Sequence, residues 1–244
     1  MAKLLAGTTG SNFHRLLRVL TAALLVIALP GVLRAFWQVL VAWPTRPTLT
    51  PLLVGLGVGL LLGRAALRWL PTLTIAEHEF THLLAGLPFL CLPTKFVVRR
   101  SGGLASHRAT PLPYVGPMVE DFITLAPYVC PTLSLIVAPF CGPGAASAVV
   151  GLLGLTLGYH LATTWAELLV NWTGRRLERA DRRGEIRSDI AQVGFGFSLV
   201  YIPVMALSLH GLALAMGLNG LAGVQAWLHV VGRGVGAFWL AAVR

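Results

Sequence analysis

The chain has 244 residues, 56% hydrophobic and 11% charged, against roughly 25% charged in a soluble domain. That balance excludes a soluble globular enzyme, and runs of about twenty apolar residues recur along the whole length, as in a polytopic membrane protein. The net charge of +10 sits on arginines in short loops and at helix ends, as the positive-inside rule expects, without the interleaved aromatics of a nucleic-acid platform.

The expected architecture is a single integral membrane domain over 1–244. It is all-α and multi-pass, with about six transmembrane helices, a further motif-bearing helix and a short β-hairpin. A lipid bilayer is implied as surroundings, a bacterial inner membrane is the expected one, and no nucleic acid is implied as partner. Nothing in the sequence reports on oligomeric state. Cys91, Cys130 and Cys141 lie in or beside apolar runs with no metal-type pairing, and read as packing residues.

Met1 to Arg18 reads as a short basic cytoplasmic tail. The apolar run after it is too long for a signal peptide, so Leu20 to Trp43 is expected to be an uncleaved first span, kinked at Pro30. Pro44 to Pro51 is a loop. Pro51 to Leu70 is the second span, with Arg64 and Arg68 marking a cytoplasmic exit. Pro71 then breaks the helix, and a new helix runs from there to about Leu90, with Gly86 and Pro88 bringing it to an early end.

That helix carries Glu77-His78-Glu79-Phe80-Thr81-His82, a His-Glu-x-x-His pattern in an apolar run. Positions four apart share a helix face, so His78 and His82 can offer two imidazoles to one metal ion. Glu79 stands beside that ion, where a carboxylate can deprotonate water. Histidine and glutamate are scarce in this chain, and an accidental match is on the order of one in a hundred, treating positions as independent.

The two short runs flanking Gly102-Gly103 predict a β-hairpin between about Thr94 and His107, with a primed turn at the glycines. Pro111, Pro113 and Pro117 make an irregular connection. Asp121 to Phe140 is the next span, interrupted by Pro127, Pro131 and Pro139. Ala145 to Trp172 is a long span carrying His160 and Glu167. Gly174 to Ser188, with six arginines, is cytoplasmic. Asp189 opens a span to about Gly217, and Leu221 to Val243 is the last. With six full spans, the His78 helix must enter and leave on one side, or lie partly in the membrane.

Two histidines do not complete a catalytic zinc site, and a third protein ligand is usual. Asp189, Glu167 and His160 are the candidates. His78 lies about two turns beyond Pro71, or roughly 10 Å deep at 1.5 Å per residue. Depth alone favours Glu167 slightly over Asp189. His160 shares a face with Glu167 and offers an oxyanion role.

The chain resembles the site-2 proteases, the zinc-dependent intramembrane metalloproteases. The resemblance rests on His78-Glu79-Phe80-Thr81-His82 in an apolar helix, the hairpin-like segment after it, and a later membrane helix with an acidic residue. It implies that His78, His82 and Asp189 bind Zn2+, that Glu79 is the general base, and that the substrate is a membrane-protein or peptide segment. The family's aspartate usually sits in Leu-Asp-Gly, whereas here the context is Ser188-Asp189-Ile190. The resemblance also implies a β-element on which an unwound substrate segment adds as a strand. Rival functions for the same polar residues are a non-proteolytic membrane scaffold, or a cation or proton transporter.

Overall fold

The computed structural model describes residues 2–41, 46–100, 102–108, 115–142, 144–172 and 189–242. Its elements in chain order are α1 (Ala2–Val41), α2 (Arg46–Trp69), α3 (Pro71–Gly86), β1 (Pro93–Arg99), β2 (Gly102–His107), α4 (Gly116–Val129), α5 (Thr132–Val137), α6 (Ser147–Trp172), α7 (Asp189–Val193) and α8 (Phe195–Ala242). Among the described residues, four helical stretches are long and apolar enough to cross a membrane: Asn12–Val41, Thr48–Trp69, Ser147–Asn171 and Phe195–Ala241. Large apolar side chains such as Leu61, Trp165 and Leu228 face outward, as in a chain surrounded by lipid.

Helices α2 and α6 pack backbone to backbone through glycines. A Cβ at Gly55 would stand 2.9 Å from the carbonyl carbon of Gly151, and one at Gly59 would stand 2.8 Å from that of Leu155. Gly154 and Gly158 return the same close approach to Leu52, Leu56 and Leu60. In lipid there is little hydrophobic drive between helices, so small residues that admit close backbone contact supply the association. The contact numbers rise together along both helices, which makes α2 and α6 parallel. Both therefore finish at one end of the bundle.

The stretch named α8 is two helices. Gly220 sits at φ 57°, a left-handed conformation, and the chain reverses there. The Trp227 indole fills the space beside Gly211, and the Ala215 carbonyl lies against Gly223. In one straight helix residues 211 and 227 would stand about 24 Å apart. The first half, 195–219, runs alongside α1. Leu17 and Leu25 of α1 join a buried cluster with Phe197, Tyr201 and Ile202, while Phe36 packs with Ala215 and Trp227. Asp121 fastens α4 to α1: it accepts from Arg18 Nη2 at 2.6 Å and Nε at 2.7 Å, and pairs with His14 Nε2 at 2.7 Å.

Several boundaries differ from the sequence reading. Helix α1 runs through the expected N-terminal tail, because its alanines and leucines favour helix. Helix α2 takes in most of the expected Pro44–Pro51 loop. Helix α3 ends at Gly86 rather than near Leu90, and Leu87–Phe89 is a 3-10 turn. The expected Asp121–Phe140 span is bent by 83° between Gly116–Val129 and Thr132–Phe140. Pro131 lacks the N–H that would carry the helix through that point. Gly194, at φ 106°, separates α7 from α8. Cys91 and Cys141 are buried.

The hairpin forms, but its glycines are not its turn. Val98 pairs with Gly103 and Arg99 with Gly102, so the chain reverses between Arg99 and Gly102. Both glycines belong to β2. The expected arginine-rich segment before Asp189, the connection through Pro111 and Pro113, and the centre of the hairpin turn at Ser101 lie outside the described residues.

Candidate metal centre

Helix α3 begins at Pro71, a residue suited to a first helical turn, at the end of the bundle where α2 and α6 finish. It packs against α4, β1 and β2, and with its 16 residues it is too short to join the membrane-crossing set. One turn of it separates His78 from His82. Their rings meet edge-on, with centroids 4.9 Å apart.

The outer nitrogen of each ring is already engaged. His78 Nδ1 donates to the Glu167 carboxylate at 2.7 Å. His82 Nδ1 donates to the carbonyl of Ile123 in α4 at 2.8 Å. A carbonyl can only accept, so the Nδ1 of His82 carries the proton and its Nε2 keeps a lone pair. The two Nε2 atoms turn toward Asp189 at the start of α7, with Oδ2 3.3 Å from His78 Nε2 and 4.0 Å from His82 Nε2.

The donor set fits a metal ion. One ligand atom from each of His78, His82 and Asp189 lies within 4.8 Å of the others. Two ligand atoms bound at 2.0–2.1 Å in a tetrahedron stand roughly 3.3 Å apart, so small side-chain adjustments close this triangle on zinc. Two imidazoles and one carboxylate suit zinc, and leave a coordination position open for water or substrate.

A second layer of bonds holds each donor. Glu167, 18% exposed, grips His78 in a carboxylate–histidine arrangement that fixes tautomer and ring angle. The Tyr128 hydroxyl donates to Asp189 Oδ2 at 3.1 Å, and Asn171 Nδ2 donates to that hydroxyl at 2.6 Å. Burial alone would raise the Asp189 carboxyl, but its hydrogen bond with His78, the attraction of His82 and His78 and the Tyr128 hydroxyl together outweigh this and hold it below its usual range. Burial raises the Glu79 carboxyl above its ordinary value, against the opposing pull of His78 and a backbone hydrogen bond from Ala105.

The three sequence candidates for the third position therefore occupy three places. Asp189 faces both Nε2 atoms, and Glu167 sits on the far nitrogen of His78. His160 lies outside the triad: its Nδ1 is 3.8 Å from Glu77, and its ring is 5.2 Å from that of His210. Tyr128, Asn171 and the Ile123 carbonyl were absent from the sequence reading. A tyrosine inside an apolar span and an asparagine at the end of another carry no spacing signal that joins them to His78.

No family model matches the chain, and no curated protein or solved structure matches it.

Proposed function

We propose that this chain is a zinc-dependent intramembrane metalloprotease of site-2-protease type, cutting peptide bonds of membrane-protein segments in or near the bilayer. One observation carries the reading. Both Nδ1 atoms of the His-Glu-x-x-His pair are committed to acceptors, which leaves both Nε2 atoms directed at one carboxylate from a distant helix. A scaffold has no use for ligand orientation of that kind beside a further carboxylate, Glu79.

Six membrane segments are proposed: α1, α2, the bent α4–α5 pair, α6, and the two halves of α8. The reversal at Gly220 supports counting α8 twice. The end of the bundle that carries the site is assigned to the cytoplasmic side, because six arginines lie between Trp172 and Asp189. A cell membrane of bacterial inner type is the proposed location.

His78, His82 and Asp189 hold the zinc. When bound, the ion polarises the scissile carbonyl and lowers the pKa of water to about 7. The protein supplies the rest. Glu79 takes the proton of the attacking water and passes it to the leaving amine, work suited to a carboxyl raised by burial toward the operating pH. Glu167, Tyr128 and Asn171 fix the directions of the ligands. The hairpin presents strand edge to an unwound substrate segment by backbone pairing.

The test is Glu79→Gln in purified, zinc-loaded protein. Cleavage of candidate membrane substrates is expected to vanish while zinc measured by mass spectrometry stays bound. Continued cleavage by this variant removes Glu79 from the mechanism and overturns the reading.

A further inference from the structure

The proposed base is held from outside its own helix. The Glu79 side chain runs against the backbone of β2 at Gly103. A Cβ placed there would collide with Glu79 Cγ and stand 2.6 Å from both its Cδ and its Oε1. Two residues further along the same strand, the Ala105 backbone lies close enough to pull the Glu79 carboxyl downward against the effect of burial. Gly103 pairs with Val98 and Ala105 with Phe96, so a single hairpin register sets both contacts.

Backbone conformation does not explain the glycine. The glycines with positive φ among the described residues are Gly102, Gly142, Gly144, Gly194 and Gly220, and Gly103 is not one of them. The turn does not require it either, since Gly103 lies inside β2. What occupies the space beside it is the stem and carboxyl of Glu79, the flexible end of one side chain. A methyl at 103 therefore displaces that carboxyl rather than the fold.

We propose that Gly103 is a positioning residue for Glu79: β2 seats the carboxylate through the Ala105 amide, and the missing side chain at 103 is what lets it reach that seat. The inference rests on Glu79 being the base. It also gives the hairpin a second task. A substrate strand added to β1 is registered to Glu79 through the Val98–Gly103 and Phe96–Ala105 pairs.

The test uses the full chain, zinc-loaded in detergent, with fluorescein-labelled casein as the probe. Gly103→Ala is expected to lower the cleavage rate about ten- to a hundred-fold, the effect of moving a reacting group by about an ångström, with zinc content unchanged. Glu79→Ala removes the Cγ, Cδ and Oε1 atoms that the added methyl would meet. Gly103→Ala is therefore expected to lower the melting temperature of the parent chain and to leave that of the Glu79→Ala chain unchanged. Cleavage by Gly103→Ala at the parent rate, or the same shift in melting temperature in both chains, overturns the proposal. Amide hydrogen exchange separates this failure from failure of the protease reading. Glu79→Ala is expected to speed exchange at the Ala105 amide roughly ten-fold, whether or not the chain cleaves casein. Unchanged exchange at Ala105 overturns the contact in an active and an inactive chain alike.

Discussion

Replacing Glu167 measures how much of the metal affinity comes from orienting one imidazole. Glu167→Ala removes the acceptor 2.7 Å from His78 Nδ1. Loss of an outer partner of this kind costs about 10- to 100-fold in metal affinity, or about 1.4 to 2.8 kcal/mol at 1.4 kcal/mol per decade. The upper end is expected here. The bond is short and charge-assisted, and the His78 and Glu167 side chains are only 14% and 18% exposed, which limits replacement by water. Glu167→Gln keeps an acceptor oxygen at the same reach without the charge, so the lower end is expected for it. Competition for zinc against a chromophoric chelator at fixed pH gives both values. Equal affinity in parent and both variants would refute the idea that Glu167 orients His78. Complete loss of zinc in Glu167→Ala, as deep as that from losing a histidine, would make Glu167 a direct ligand and refute the assignment of Asp189.

Asp189→Asn keeps the shape of the side chain but removes its charge. Zinc binding is expected to weaken beyond the roughly hundred-fold reached by outer-shell losses, as read by zinc content after dialysis; stoichiometric zinc in this variant would exclude Asp189 as a ligand. Away from the site, Gly59→Ala puts a methyl 2.8 Å from the Leu155 carbonyl carbon and 2.9 Å from the Tyr159 nitrogen. Such overpacking costs about 1 to 3 kcal/mol, seen as a melting temperature lower by several degrees in detergent. An unchanged melting temperature would mean that α2 and α6 do not meet through this face.

Much of the site was legible because it is local. The four-residue spacing of His78 and His82 puts both rings on one helix face whatever the rest of the chain does. The division of the last apolar stretch into two segments was legible too, since 47 residues are far more than one crossing needs. The hairpin glycines misled for a physical reason. A Gly-Gly pair satisfies a primed turn, yet the same lack of a side chain also suits close approach, and at Gly103 the approach of Glu79 took precedence. The bend at Cys130–Pro131 was signalled only as a set of prolines, because a proline removes a hydrogen bond without stating where the chain turns next.

Composition and spacing alone determined that the chain is built for lipid, that it carries a paired-imidazole helix, and that Glu79 stands beside the pair. Those features depend on neighbours in the chain. Depth arguments leaned toward Glu167 as third ligand, and only the packed helices decided how the two carboxylates share His78: Glu167 at Nδ1 and Asp189 at Nε2, from 89 and 111 positions away. A choice between two nitrogens of one ring turns on ångströms set by where α6 and α7 come to rest, and no local pattern carries that information.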